Sequence, residues 1–111
     1  MKFLSRPEEI ILHAVWELQE DAYCVPIRKH ISKLTGKAWS FGAVYVPLQR
    51  LEKKGLLKSY LDDPIPMRGG KSRRIYKITP PGLEALADVR KLHDSMWAGV
   101  PNFAKKGKIS S

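Results

Sequence analysis

The sequence predicts a winged helix-turn-helix, mainly α with a small β-wing in the order α-α-α-β-β-α, whose last helix serves dimerisation. Residues 40–57, SFGAVYVPLQRLEKKGLL, read as a helix with one apolar and one basic edge, stopped by Gly55. A basic ribbon follows, made of two short strand-like runs around a Pro/Gly turn. The net charge of +9 is concentrated on these two features. Residues 37–58 carry +4 and residues 59–78 carry +3, whereas 1–36 are neutral, 79–97 carry −1 and the remainder +3.

The elements follow in order. Ser5-Arg6-Pro7-Glu8 has capping-box spacing with a proline in the first turn, and opens helix one. Ile11, Ala14, Val15 and Leu18 share one face, while Leu12 and Trp16 form a second face nearly opposite, so this helix needs cover on two sides. Trp16 either closes the edge of the monomer core or meets a second subunit. Asp21 to Cys24 is a turn or short extended piece. Pro26 suits the first turn of helix two, where Ile27, Ile31 and Leu34 recur at i, i+4 and i+7 before Gly36 ends it. Ser40 is a good N-cap for helix three, and Phe41, Val44, Leu48 and Leu51 fall on its inward side. Pro47 removes a hydrogen bond to the Ala43 carbonyl and favours a kink. Leu56–Leu61 and Arg74–Thr79 have the length and side chains of two strands, and the stretch from Asp62 to Gly70 is turn chemistry for a long wing tip. Thr79 caps helix four, which runs to about Trp97. The resulting organisation is a DNA-binding domain over residues 5–79, a dimerisation helix over 80–98 and a flexible basic tail over 99–111.

Composition narrows the class. With 111 residues and 43% hydrophobic content, the chain has room for one compact domain. No apolar run approaches the roughly 18 residues of a membrane-spanning helix, and MKFLSRPEE turns acidic before a signal-peptide core forms. The single cysteine, Cys24, excludes an internal disulfide. A cytoplasmic protein that does not meet the membrane is expected. His13, His30, His93 and Cys24 are scattered, without metal-ligand spacing near carboxylates. Arg68-Gly69-Gly70-Lys71 lacks the strand-to-helix context of a phosphate loop. Nothing assembles a catalytic set, so neither an enzyme, nor a metal, nor a cofactor is expected.

A basic helix beside a basic hairpin points to a polyanion, and the fold pattern points to double-stranded DNA. At 100° per residue, with the apolar stripe inward, Ala43, Val46, Arg50 and Lys53 face out, flanked by Gly42, Gln49 and Lys54. Arg50 has the geometry to bridge a guanine edge and Gln49 an adenine, while Val46 or Ala43 can touch a thymine methyl. Small residues near the Ser40 cap let the backbone approach the groove. Tyr45 flanks the stripe, placed either to reach a phosphate or to pack in the core. Lys71, Arg73 and Arg74 are candidates for backbone contacts, which position a protein without reading sequence. Glu52 is alternatively a tie between this helix and the wing through Arg73 or Arg74.

At these residues the chain resembles the PadR family of bacterial transcriptional regulators, in its compact subfamily. Gly42–Leu57 is similar to that family's Gly-x-x-Tyr-x-x-Leu-x-Arg-Leu-Glu-x-x-Gly pattern, and the likeness continues in Gly69-Gly70, Arg73-Arg74-x-Tyr76-x-Ile78-Thr79 and Gly82. The resemblance implies a winged-helix dimer, usually a repressor on a palindromic operator, dimerising through its C-terminal helix. It departs at Tyr23-Cys24-Val25-Pro26, where many members have a Tyr-Gly-Tyr-like start to helix two.

Helix four carries Ala85, Leu86, Val89, Leu92, His93, Met96 and Trp97 across more than half its circumference, wider than packing on its own domain requires. A homodimer is expected. Some compact members bind flat aromatic compounds at the dimer interface, and Trp97, Met96 and His93, with Trp16, make the corresponding candidate here, with plain interface packing as the alternative. Two functional classes remain: a homodimeric sequence-specific repressor, or an interaction module that offers its basic face to RNA or a protein partner.

Overall fold

The computed structural model describes residues 3–63, 69 and 72–101. Its elements are α1 (Arg6–Leu18), a single 3-10 turn (Gln19–Asp21), α2 (Cys24–Thr35), α3 (Phe41–Lys53), β1 (Leu57–Leu61), β2 (Arg74–Ile78) and α4 (Pro80–Trp97). This is the expected order of helices and strands. Most of the expected wing tip, Lys71 and the tail from residue 102 lie outside the described residues.

The capping box that opens α1 is complete. The Ser5 N–H donates to Glu8 Oε1 (2.9 Å) and the Glu8 N–H donates to Ser5 Oγ (3.2 Å). Ile11, Leu12, Ala14 and Val15 are all buried, because α1 packs against α2, α3, β2 and α4 at once. Its broad apolar girth is thus covered from several directions. Trp16 remains partly outside that cover.

Two side chains expected in the core are not there. Leu34 is 57% exposed and Phe41 is 56% exposed. Both sit at helix ends, Leu34 in the last turn of α2 and Phe41 at the first residue of α3. Periodicity gives the side a residue faces, but not how far the neighbouring elements extend beneath it. Ile27, Ile31, Val44, Leu48 and Leu51, nearer the helix centres, are fully buried.

The wing is an antiparallel pair running from Leu57 opposite Ile78 to Leu61 opposite Arg74. Tyr76 joins the core, and Ile75, on the opposite face of the strand, is buried as well. The Tyr76 N–H donates to the Ala22 carbonyl (2.8 Å), which pins β2 to the start of α2. At the other end of the wing, the N–H and hydroxyl of Thr79 make three bonds. Its N–H donates to the Leu56 carbonyl (3.1 Å), its hydroxyl donates to the Gly55 carbonyl (2.6 Å), and its Oγ1 accepts the Gly82 N–H (3.2 Å). These bonds fix where α4 leaves the domain. Gly82 is required at that junction, since a Cβ there would lie 2.2 Å from the Leu56 carbonyl oxygen and 2.7 Å from Ile78 Cγ1.

Glu8 also holds α3 to α1. Its side chain is only 5% exposed and accepts Lys54 Nζ at 2.7 Å. Burial pushes this carboxyl up, but the hydrogen bonds from Lys54 and Ser5 and the Lys54 charge more than offset it and leave the pKa below its ordinary value. A carboxyl with a lowered folded-state pKa stabilises the fold above its unfolded value of about 4.5, and that stability is lost as pH falls through the folded value. Glu8→Gln keeps the capping geometry and removes the charge. It is expected to cost about 1 kcal/mol at pH 7, since Lys54 is partly solvated. The difference from the native chain in denaturant melts should vanish in acid.

Candidate nucleic-acid interface

The turn between α2 and α3 is held by side chains of both flanks. Arg28 Nε donates to the Trp39 carbonyl (2.8 Å), Trp39 Nε1 donates to Thr35 Oγ1 (3.1 Å), and Thr35 Oγ1 donates to the Ile31 carbonyl (2.9 Å). Ser40 then starts α3, its Oγ accepting the Ala43 N–H at 3.1 Å. The hydroxyl hydrogen stays available for a further acceptor.

Along α3, Val44, Pro47, Leu48 and Leu51 are buried, whereas Gly42, Ala43, Val46, Gln49, Arg50 and Lys53 are exposed. The helix is continuous from Phe41 to Lys53 through Pro47. A strip of small residues therefore leads into a strip of amide and cationic ones on one outer face. Lys54 is partly committed elsewhere, through its ion pair with Glu8. Tyr45 is 37% exposed and stacks on Phe41 with centroids 5.5 Å apart. Phe41 and Tyr45 form an aromatic ledge at the start of the helix. Helical periodicity places Phe41 in the core, whereas the ledge is marked in the sequence by the i, i+4 aromatic pair beside the N-cap.

The wing arginines have different settings. Arg74 is exposed, and its Nη1 donates to Ser59 Oγ (2.9 Å), whose hydroxyl donates to Glu52 Oε2 (2.6 Å). The tie between α3 and the wing thus runs from Glu52 to Arg74 through a serine. Arg73 faces Asp62 and lies against the Tyr23 ring, 4.4 Å from its centroid. Lys71 lies outside the described residues. A small cleft of about 250 Å³ brings Tyr23, Cys24, Phe41, Tyr45, Arg73 and Arg74 together, joining helix start and wing.

Burial pushes the nearby Tyr76 phenol up to about 12, with the Glu52 charge adding to it. Burial likewise raises the Cys24 thiol, which leaves it protonated at neutral pH and a poor nucleophile. The side chains of Asp62 and then Tyr23 hold the Arg73 guanidinium in its charged form. Among the described residues, no group of three His, Cys, Asp or Glu side chains is placed to hold a metal.

A second surface lies on the α1/α4 side. Trp16, Leu86, Val89 and His93 line an open groove of about 590 Å³, together with Glu9 and Leu34. His93 Nε2 is 2.6 Å from Glu9 Oε1, linking α4 to α1. Met96 lines a neighbouring groove with Leu92 and Phe3. Trp97 lines neither and is 59% exposed. Among the described residues, no helix is long and apolar enough to cross a membrane.

Comparison with known proteins agrees with this architecture. Residues 11–88 match the model of the transcriptional regulator PadR-like family. No curated protein matches the chain. Among solved structures, a PadR family transcriptional regulator from Eggerthella lenta is 28% identical, with a TM-score of 0.66 over 82% of this chain and 77% of that one. A PadR-like transcriptional regulator from Bacillus cereus is 27% identical, with a TM-score of 0.64 over 84% of this chain and 82% of that one. A PadR family transcription regulator from Clostridium difficile shares the fold at 24% identity, with a TM-score of 0.67 over 86% of this chain and 94% of that one. With the family model spanning most of its length, the chain belongs to the PadR-like family of transcriptional regulators, DNA-binding proteins rather than enzymes.

Proposed function

We propose that this regulator acts as a homodimeric repressor on a two-fold symmetric DNA site, working in the cytoplasm where that DNA lies. Each α3 enters the major groove, with Gly42, Ala43 and Val46 allowing close approach and Gln49 and Arg50 reading base edges. Ser40, Tyr45, Lys53, Lys71 and Arg74 are assigned to the phosphate backbone, Lys54 is held back by its ion pair with Glu8, and Arg73 belongs to the wing that carries such contacts.

The single observation that carries the dimer is the state of α4. Of its 18 residues, Gly82 alone is buried, while Leu83, Met96 and Trp97 are exposed. A helix left with this much uncovered apolar surface needs a partner, and a second copy supplies one by two-fold symmetry. Leu86, Val89 and His93 of α4 continue the same surface to Trp16 on α1.

The test is a hydroxyl-radical footprint combined with sedimentation of the complex. The expected result is two chains per duplex, with protected half-sites centred about one helical turn, ~34 Å, apart. A single chain per site, or an unbroken featureless footprint, would contradict it.

Release by a planar aromatic ligand is the finer part of the proposal, since Trp16, Met96 and Trp97 border a surface that dimerisation would enclose. Titration with a panel of planar compounds should quench tryptophan emission saturably, and Trp97→Ala should abolish most of that change. A linear, unsaturable response across the panel would remove the sensor role and leave Trp97 as interface packing.

A further inference from the structure

We infer that Arg73 is a positioning residue, aiming the wing through Asp62 and Tyr23, and is not one of the side chains that neutralise a phosphate. This rests on the reading that α3 and the wing face DNA. The hairpin continues one rung beyond its strands. The Asp62 N–H donates to the Arg73 carbonyl (2.9 Å), and the Arg73 N–H donates back to Asp62 Oδ1 (2.6 Å). Above this rung the guanidinium forks onto the same carboxylate, Nε donating to Oδ2 at 2.9 Å and Nη2 lying 2.8 Å from it. Its flat face rests on Tyr23, with Cζ 4.4 Å from the ring centroid.

Tyr23 is the N-cap of α2, so this contact joins the wing to the helix-turn-helix itself. The adjacent residue, Ala22, accepts the Tyr76 N–H (2.8 Å). Residues 73 and 76 are separated by roughly 10 Å of strand. The wing is therefore mounted on the start of α2 at two points. A two-stranded ribbon is marginal alone and twists readily. The Glu52–Ser59–Arg74 bridge ties the ribbon to α3, and the Arg73–Tyr23 contact adds a separate hold on its outer end.

The pairing of Arg73 with Asp62 also bears on its charge. A guanidinium already paired with a carboxylate neutralises no phosphate and so displaces few of the cations condensed on DNA, and its removal changes that release little. Arg74, exposed and hydrogen-bonded to a serine hydroxyl, carries no such neutralising partner in that bond. Lysine at position 73 would keep the charge but lose both the fork and the stacking plane.

The experiment uses the full chain and the duplex that the native protein enriches from a random pool, with affinity measured across a salt series. Arg73→Lys and Tyr23→Leu are each expected to bind roughly tenfold more weakly, with an unchanged salt slope and protection lost only at the outer flanks. Arg74→Ala should lower the slope by about one. Hydrogen exchange on the free protein supplies a readout independent of DNA. Both Arg73→Lys and Tyr23→Leu should speed exchange in β1 and β2 and leave α3 unchanged. Native-like affinity and wing protection in Arg73→Lys would overturn the inference, as would a slope lowered by about one in Arg73→Ala. A native chain that enriches no duplex would instead refute the DNA reading, and the exchange result would still decide whether Arg73 holds the wing.

Discussion

Gly82→Ala should lower the stability of the domain by about 1–3 kcal/mol and displace α4. The added methyl would fall 2.2 Å from the Leu56 carbonyl oxygen, which cannot retreat easily because it accepts the Thr79 N–H at 3.1 Å. Alanine's better helix propensity, about 1 kcal/mol, offsets only part of that clash. For a domain of this size the melting temperature should fall by roughly 5–20 °C. The functional loss should exceed the stability loss, because α4 leaves the domain at this point and its direction sets the distance between two recognition helices. Thermal melts combined with footprints on duplexes of altered half-site spacing would check this. A variant that melts and binds like the native chain would show that the junction yields, and that Gly82 does not set the geometry of α4.

Arg50→Ala is expected to relax base preference at one position per half-site by roughly 1–3 kcal/mol, leaving the other positions unchanged. Arg50 is exposed on the outer face of α3, one turn beyond Val46 and opposite the buried Leu48 and Leu51. Its fork suits the paired acceptors of a guanine edge, a match that a backbone contact does not need. Lys53→Ala should instead weaken every sequence alike and reduce the salt slope by about one. The comparison is made by measuring affinities for a set of single-base variants of the site. Equal loss across the whole set from Arg50→Ala would remove that residue from base readout.

Much of this architecture was legible because each local rule agreed with the next. Ser5, Ser40 and Thr79 read as caps in the sequence, and each accepts the expected backbone N–H in the structure. Gly36 and Gly55 read as helix stops, and both adopt positive φ. The alternation of buried Val44, Leu48 and Leu51 with exposed Ala43, Val46 and Arg50 follows from helical spacing alone. What periodicity could not supply was the reach of neighbouring elements. Phe41 and Leu34 have the right phase for the core, yet both are exposed at the ends of their helices, Leu34 at the open groove between α1 and α4. The roles of the charges were also hidden. Lys54 and Arg73 look like any other cations in a basic stretch, and their partners Glu8 and Asp62 come from the first helix and the far side of a turn. Such pairings depend on the path of the chain in three dimensions. The Asp62–Arg73 pair had one local hint, since extending the hairpin register by one residue sets the two opposite each other.

The most direct test of the whole account is selection from a random double-stranded DNA pool by the purified chain at near-physiological salt. The account predicts enrichment of a two-fold palindrome, with half-sites about one helical turn apart. Retention without enrichment would contradict it, leaving only electrostatic affinity for a polyanion and favouring an RNA or protein partner for the basic face.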